Sequence, residues 1–285
     1  MVNGPDNILD GKAVAKTIRQ QLESQIQAFQ TSRGYVPNLA VVLPSEEPDA
    51  CLYAQNLQKW FQKLGLGCFV HQLSSSITQE DLCAYIRSLC SSADVHGVMI
   101  QMPLPDGVSY LSVAEALDPM KDVEGIHPYN FGLLSIGNPQ VVPSTPMAAA
   151  TLIDHYGIDV SGKNVVVIGR SNVVGKPFAQ LMLMKHASVS VLHSRSKSIR
   201  DYTLNADIVA VAVGRPNTLT ADMVREGVIV IDFGINFVND RLVGDVDFEA
   251  VSPLASFITP VPGGIGPLTN LMLASNLIKL ALTQP

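Results

Sequence analysis

The stretch VVVIGRSNVVGKP, Val165 to Pro177, has the residue types of a phosphate cradle. A β-branched run ends at Gly169, and Gly175 follows six residues on, where a helix opens. Glycines at such a turn let backbone approach a phosphate, and the helix N-terminus offers free N–H groups with a favourable dipole. Ser171 stands where the middle glycine of G-x-G-x-x-G is expected, so its hydroxyl is a candidate phosphate donor. The next strand ends in LHSRS, with Ser194, Arg195, Ser196 and Lys197 and no acid. An acid there holds a ribose 2′-hydroxyl, whereas a basic group accommodates a 2′-phosphate, so the pattern favours NADP over NAD. Arg170, inside the turn, adds a second positive charge.

A second group lies in the first half of the chain. CLYAQNLQKW, Cys51 to Trp60, reads as helix, with Tyr53 in its early turns and Leu57 one turn on along the same face. Gln101 closes the strand VHGVMI and enters a proline-broken loop. On parallel sheets, ligands sit at such carboxyl ends.

The elements that must position these groups alternate. GKAVAKTIRQQLESQIQAF places Val14, Ile18, Leu22 and Ile26 at helical spacing. LAVVLP, CFVHQL and VHGVMI read as strands, with helices between them at about 50–64 and over QEDLCAYIRSLC. LDPMKDVEGIHPYNFGLLSIGNPQVVPSTP is rich in Pro, Gly and Asn, and reads as a loop and domain junction. MAAATLIDHYG is expected to be a helix ended by Gly157. ADIVAVAVG, closing at Gly214, and GVIVIDFG are further strands. The segment from about Pro267 to Leu282 is expected to be helical, with Pro267 in its first turn. The fold class is therefore α/β with mostly parallel, doubly covered sheets.

With 285 residues, the chain is long enough for two modest domains. Its net charge of −6 argues against a nucleic-acid surface. No apolar run approaches the ~20 residues of a membrane span, and no signal pattern opens the chain, so a cytoplasmic location is expected. Cys51, Cys68, Cys83 and Cys90 form no C-x-x-C pair or metal-ligand spacing, so reduced thiols and no metal site are expected.

ILDGKAVAKTIRQQL, GVMIQMPLP, KDVEGIHPYNFG, STPMA, VVVIGRSNVVGKP, DFGIN, GDVDF and TPVPGGIGPLT follow one another in order. By these motifs the chain resembles the methylenetetrahydrofolate dehydrogenase/methenyltetrahydrofolate cyclohydrolase family, the bifunctional FolD family. The resemblance implies two domains around a cleft. A folate-binding catalytic domain would take residues 1–145 plus 267–285, and a Rossmann-like NADP domain 146–266, with the C-terminal helix returning to the first. It also implies a homodimer through the nucleotide domains. The activity implied is NADP-dependent oxidation of 5,10-methylenetetrahydrofolate to the methenyl form, followed by hydrolysis to 10-formyltetrahydrofolate.

The resemblance assigns Tyr53 to orienting the pterin and Gln101 to hydrogen bonding beside the reacting carbon. Pro260, Pro262, Gly263 and Gly264 match the loop over the folate. Gly169, Arg170, Ser171, Ser194 and Ile235 match NADP contacts, with Gly175, Arg195 and Gly214 in the same group. Three positions depart from the pattern. Leu57 replaces the catalytic lysine of Y-x-x-x-K. Glu124 replaces the aspartate expected to grip the pterin's amino and amide nitrogens. Ala50, in SEEPDA, replaces the serine that supports the lysine. Lys59 lies about 200° further round the helix than Leu57 and is not expected to substitute.

Hydride transfer needs positioning, whereas hydrolysis needs a proton moved. The expectation is thus a dehydrogenase with weak or absent cyclohydrolase activity. Two readings stay open beside it: a non-catalytic folate/NADP-binding paralogue, and a dehydrogenase of a different pterin-type one-carbon carrier.

Overall fold

Strand and helix alternate along the chain because apolar residues switch between runs of β-branched side chains and helical spacing. The computed structural model describes residues 7–239 and 241–284. These divide into two compact units, one of 18–142 with 273–284, the other of 7–17 with 143–272.

The first unit contains most of α1 (Gly11–Arg33), then β1 (Asn38–Leu43), α2 (Pro48–Leu64), β2 (Gly67–Gln72), α3 (Gln79–Ser91), β3 (Gly97–Ile100), α4 (Tyr110–Glu115) and α5 (Pro128–Ser135). Its strands form a parallel sheet ordered β2-β1-β3. Val42 of β1 pairs with His71 on one side and Ile100 on the other. β1 leads to β2 on one flank and β2 crosses to β3 on the other, so the switch point lies between the ends of β1 and β3. Those ends deliver α2 and Gln101. One sheet face packs Ala40, Val42, Val98 and Ile100 against Leu82 and Ile86 of α3 and Val113 of α4.

Pro48 suits the first turn of α2, and Gly65 ends the helix with φ 88°. Only glycine takes that left-handed conformation without cost. The buried stripe of α2 is Ala50, Ala54, Leu57, Phe61 and Leu64.

The second unit contains α6 (Ser144–His155), β4 (Asn164–Ile168), α7 (Gly175–Met184), β5 (Ser188–Leu192), α8 (Ile199–Thr203), β6 (Ile208–Val211), β7 (Val228–Asp232), β8 (Asn236–Val238), β9 (Arg241–Val243), α9 (Phe248–Val251), β10 (Ala255–Ile258) and the start of α10 (Gly266–Thr283). Its parallel sheet runs β10-β7-β6-β4-β5, and β8 and β9 form a separate antiparallel ribbon. Here β4 leads to β5 on one side and β5 crosses to β6 on the other, which puts the switch point at the ends of β4 and β6.

One expectation needs correction. The Pro- and Gly-rich middle is not all loop, for α5 forms within it, started by Pro128 at its first turn. Residues 7–17 group with the second unit. The cause is local pairing: Leu9 N–H donates to Ile258 O (2.9 Å) and Gly11 N–H to Gly263 O (3.0 Å). The first two turns of α10, up to Met272, also group there, and residues from Leu273 on count with the first unit. Asn276 anchors that later part, donating to Val123 O (2.9 Å) and Val142 O (2.8 Å).

All four cysteines are free. Among the described residues no helix is long and apolar enough to cross a membrane.

Candidate functional site

The first unit's candidate site is built at its switch point. Gln101 follows β3 directly, and its N–H donates to Val42 O (2.8 Å), extending the ladder by one residue. Its Nε2 donates to Met102 O (3.1 Å), while its Oε1 is buried without a hydrogen-bond partner. A buried acceptor left unpaired is a cost that a ligand donor removes.

Glu124 is placed by a loop organised around Asp122, which is 1% exposed. The Asp122 carboxylate accepts from the N–H groups of Glu124 (3.3 Å), Ile126 (3.2 Å) and His127 (2.9 Å), and from Asn130 Nδ2 (2.9 Å). A parallel bridge between Val98 and Asp122 lays this segment along β3. Burial, then the Asp122 charge, pushes the Glu124 carboxyl up to about 7. Burial likewise raises Asp122, against the pull of its four donors.

Tyr53 is 40% exposed as a residue, but its hydroxyl end is crowded. Burial and the Glu124 charge push that hydroxyl up to about 12, so it stays a proton donor at neutral pH. Leu57 is 1% exposed and belongs to the buried stripe of α2, as does Ala50. Tyr53 and Leu57 are about 40° apart round the helix, so the leucine sits inward of the tyrosine. It supplies no group that titrates. Lys59 is exposed, on a different face from Leu57.

The structure adds a residue that the motifs did not point to. Tyr110 opens α4, and among the described residues its buried hydroxyl has no partner. Burial raises it to about 12, with further contributions from the charges of Glu124 and Asp122. Glu124 therefore acts on two tyrosines from two helices. No spacing rule links position 110 with 53 and 124; only the fold brings them under one charge.

In the second unit, Gly169 has φ 124°, and a Cβ there would lie 2.2 Å from Ala212 O. A Cβ on Gly175 would lie 2.2 Å from Gly169 O. Both glycines are required by close backbone approach, between β4 and β6 and between β4 and α7. Ser171 Oγ accepts from Val174 N–H (3.1 Å) and Gly175 N–H (3.4 Å). It thus caps the start of α7 and keeps its own proton to donate. The register Ile168↔Leu192 sets the 193–197 loop beside this turn. Arg170, Ser194, Arg195 and Lys197 are all exposed there, and among the described residues neither Arg170 nor Arg195 is held in an ion pair. The residues fit a phosphorylated dinucleotide: a glycine cradle, a helix start and an unpaired guanidinium.

Gly214 has φ 66°, and its N–H donates to Asp245 Oδ2 (2.9 Å), as does Val213 N–H (2.7 Å). Asp245 Oδ1 takes Asn236 Nδ2 (2.9 Å). Asp232 accepts from the N–H groups of Gly234 (2.8 Å), Asp245 (2.9 Å) and Val246 (3.0 Å). The motifs DFGIN and GDVDF are thus a pair of carboxylate latches that fix the loops after β6 and β7. Ile235 is 67% exposed beside them. Pro260, Pro262, Gly263 and Gly264 follow β10, held by the bond from Gly264 N–H to Pro260 O (2.8 Å).

Both sites have the form of a substrate-binding unit and a dinucleotide-binding unit of an α/β enzyme. Comparison with known proteins agrees. Residues 9–124 match the tetrahydrofolate dehydrogenase/cyclohydrolase catalytic domain, and residues 143–285 match the NAD(P)-binding domain of the same family. The chain is 46% identical over 276 residues to the bifunctional protein FolD of Helicobacter hepaticus, covering 96% of each. The crystal structure of the Campylobacter jejuni FolD enzyme superposes with a TM-score of 0.94 at 42% identity, covering 98% of this chain and 99% of that one. A Trypanosoma brucei relative complexed with NADP and an inhibitor is 33% identical, with a TM-score of 0.91 and 96% of each chain covered. The chain belongs to the tetrahydrofolate dehydrogenase/cyclohydrolase family.

Proposed function

We propose that this protein oxidises 5,10-methylenetetrahydrofolate to 5,10-methenyltetrahydrofolate with NADP, and that its cyclohydrolase activity is weak or absent. The observation that carries the second part is Leu57, buried at 1% exposure where the family resemblance assigns a lysine.

NADP, when bound, supplies the hydride acceptor. Gly169, Gly175 and Ser171 would hold the pyrophosphate, and Arg195 would take the 2′-phosphate. Tyr53 orients the folate ring, Gln101 Oε1 takes a hydrogen bond near the reacting carbon, and Glu124 accepts from the pterin's N–H groups. Pro262, Gly263 and Gly264 belong to the loop that covers the folate. The folate's own nitrogen lone pair stabilises the cation left when hydride departs, so no side chain must move a proton in that step.

Hydrolysis adds water to the methenyl carbon and releases a proton before the ring opens. A positioned acid–base group contributes ~10²–10⁴-fold to such a step. Leu57 neither gives nor takes a proton, and it makes its surroundings less favourable to water.

One reaction mixture tests both parts. Protein, 5,10-methylenetetrahydrofolate and NADP are followed at the NADPH and methenyl absorbances, corrected for spontaneous hydrolysis. Both should rise, and methenyl should persist. Methenyl opening at the rate of a bifunctional relative sinks the second part, and no NADPH sinks the first.

A further inference from the structure

We propose that Tyr110 is a substrate-binding residue of the folate site, donating its hydroxyl to the ring carbonyl of a lactam whose neighbouring N–H groups are accepted by Glu124. This rests on the folate reading above and extends it to a residue that the family motifs do not include.

The argument begins with an unpaired group. The Tyr110 hydroxyl is buried and has no hydrogen-bond partner among the described residues. A buried hydroxyl lowers stability unless something pairs with it. The remainder of Tyr110's helix is accounted for: Ser109 caps it by accepting from Ser112 N–H (3.4 Å), and Val113 packs in the core with Ile100. Ile126, two residues beyond Glu124, packs against that same core. The first turn of α4 and the Asp122–His127 loop are therefore fixed on one apolar cluster, which brings Tyr110 within the field of the Glu124 charge.

Asp122, in the same loop, bears on Glu124, and the Glu124 charge in turn bears on Tyr53 of α2 and Tyr110 of α4. None is a cation. Among the described residues no ion pair holds Glu124, which is left to accept N–H donors from a ligand. A tyrosine whose pKa stands near 12 keeps its proton and donates. A hydroxyl donor beside a carboxylate acceptor complements a ring edge that presents C=O next to N–H. A reduced pterin carries such an edge. Gln101, with its own unpaired Oε1, accepts elsewhere on the same ligand.

The substitution to test is Tyr110→Phe, which removes one oxygen and leaves the ring packing. The KM for 5,10-methylenetetrahydrofolate should rise about tenfold, the loss expected for one hydrogen bond at a desolvated site. The kcat and the KM for NADP should stay unchanged. Melting temperature should hold or rise slightly, because the variant no longer buries an unpaired hydroxyl. Glu124→Gln, alone and combined with Tyr110→Phe, should show non-additive losses, since both side chains grip one edge. Trp60, the sole tryptophan, provides a fluorescence titration with tetrahydrofolate that needs no turnover.

Equal substrate KM and equal tetrahydrofolate binding in Tyr110→Phe would overturn the proposal while leaving the folate reading intact. A fall in melting temperature at unchanged KM would do the same, and would assign the hydroxyl to stability. If the unaltered protein binds no tetrahydrofolate and turns over no methylene substrate, the folate reading itself fails, and this proposal with it.

Discussion

Replacing Leu57 by lysine should create hydrolysis at a measurable cost in stability. Leu57 is 1% exposed, in one stripe with Ala50, Ala54, Phe61 and Leu64. Full burial of a leucine side chain contributes about 1.5–3 kcal/mol, and a lysine stem recovers only part of that. A net loss of ~2 kcal/mol corresponds to a fall in melting temperature of about 4–8 °C for a chain of this size. In return the amine arrives one turn beyond Tyr53, on the helix that faces Glu124. Its charge favours the ionised carboxylate and draws Glu124 below its present value of about 7. A proton-moving group there should speed methenyl opening by at least ~10²-fold, or about 2.7 kcal/mol of barrier. The assay is decay of methenyltetrahydrofolate absorbance with the spontaneous rate subtracted. Ala50→Ser in the same chain should increase the gain, and Leu57→Met, which keeps volume and adds no proton carrier, should give none. A folded Leu57→Lys variant that still reduces NADP but opens methenyl at the unaltered rate refutes the reasoning.

The remaining predictions concern other groups. Glu124 has a raised pKa, so the folded protein holds a proton there that the unfolded chain has lost between about 4.5 and about 7. Its contribution to stability therefore falls as pH rises through that window. Glu124→Gln removes the dependence, so its melting temperature relative to the unaltered protein should climb between pH 5 and pH 8; a flat difference would count against the buried carboxyl. Arg195→Ala should raise the KM for NADP by about 10–100-fold and leave that for NAD almost unmoved, as steady-state kinetics with each cofactor would show. Gly175→Ala forces a methyl to within 2.2 Å of Gly169 O, pushing α7 from the turn. NADP should then no longer raise its melting temperature.

Much of this protein could be read from its residues in line. The β-branched runs and helical spacings locate most strands and helices, because burial on two faces and burial on one stripe demand different patterns. Gly169 and Gly175 are legible because backbone approach excludes a side chain wherever it occurs. Arg195 stands out in line because a basic group in the loop after the second strand of such a fold favours a 2′-phosphate. Leu57 is also visible in line, four residues after Tyr53, where the family resemblance places a lysine. Other features depend on long-range contact. Residues 7–17 join the second unit because they pair with β10 and the loop after it, some 250 positions away. Asp232 and Asp245 become latches only when β6 and β7 end side by side. Tyr110 looks like an ordinary helix residue until packing of α4 on the sheet buries its hydroxyl beside Glu124 and leaves it unpaired. Local sequence sets which conformations and chemical groups are available. Which of those groups meet, and which lose their water, is decided by the tertiary structure, because burial and the field of a distant charge belong to no single stretch of chain.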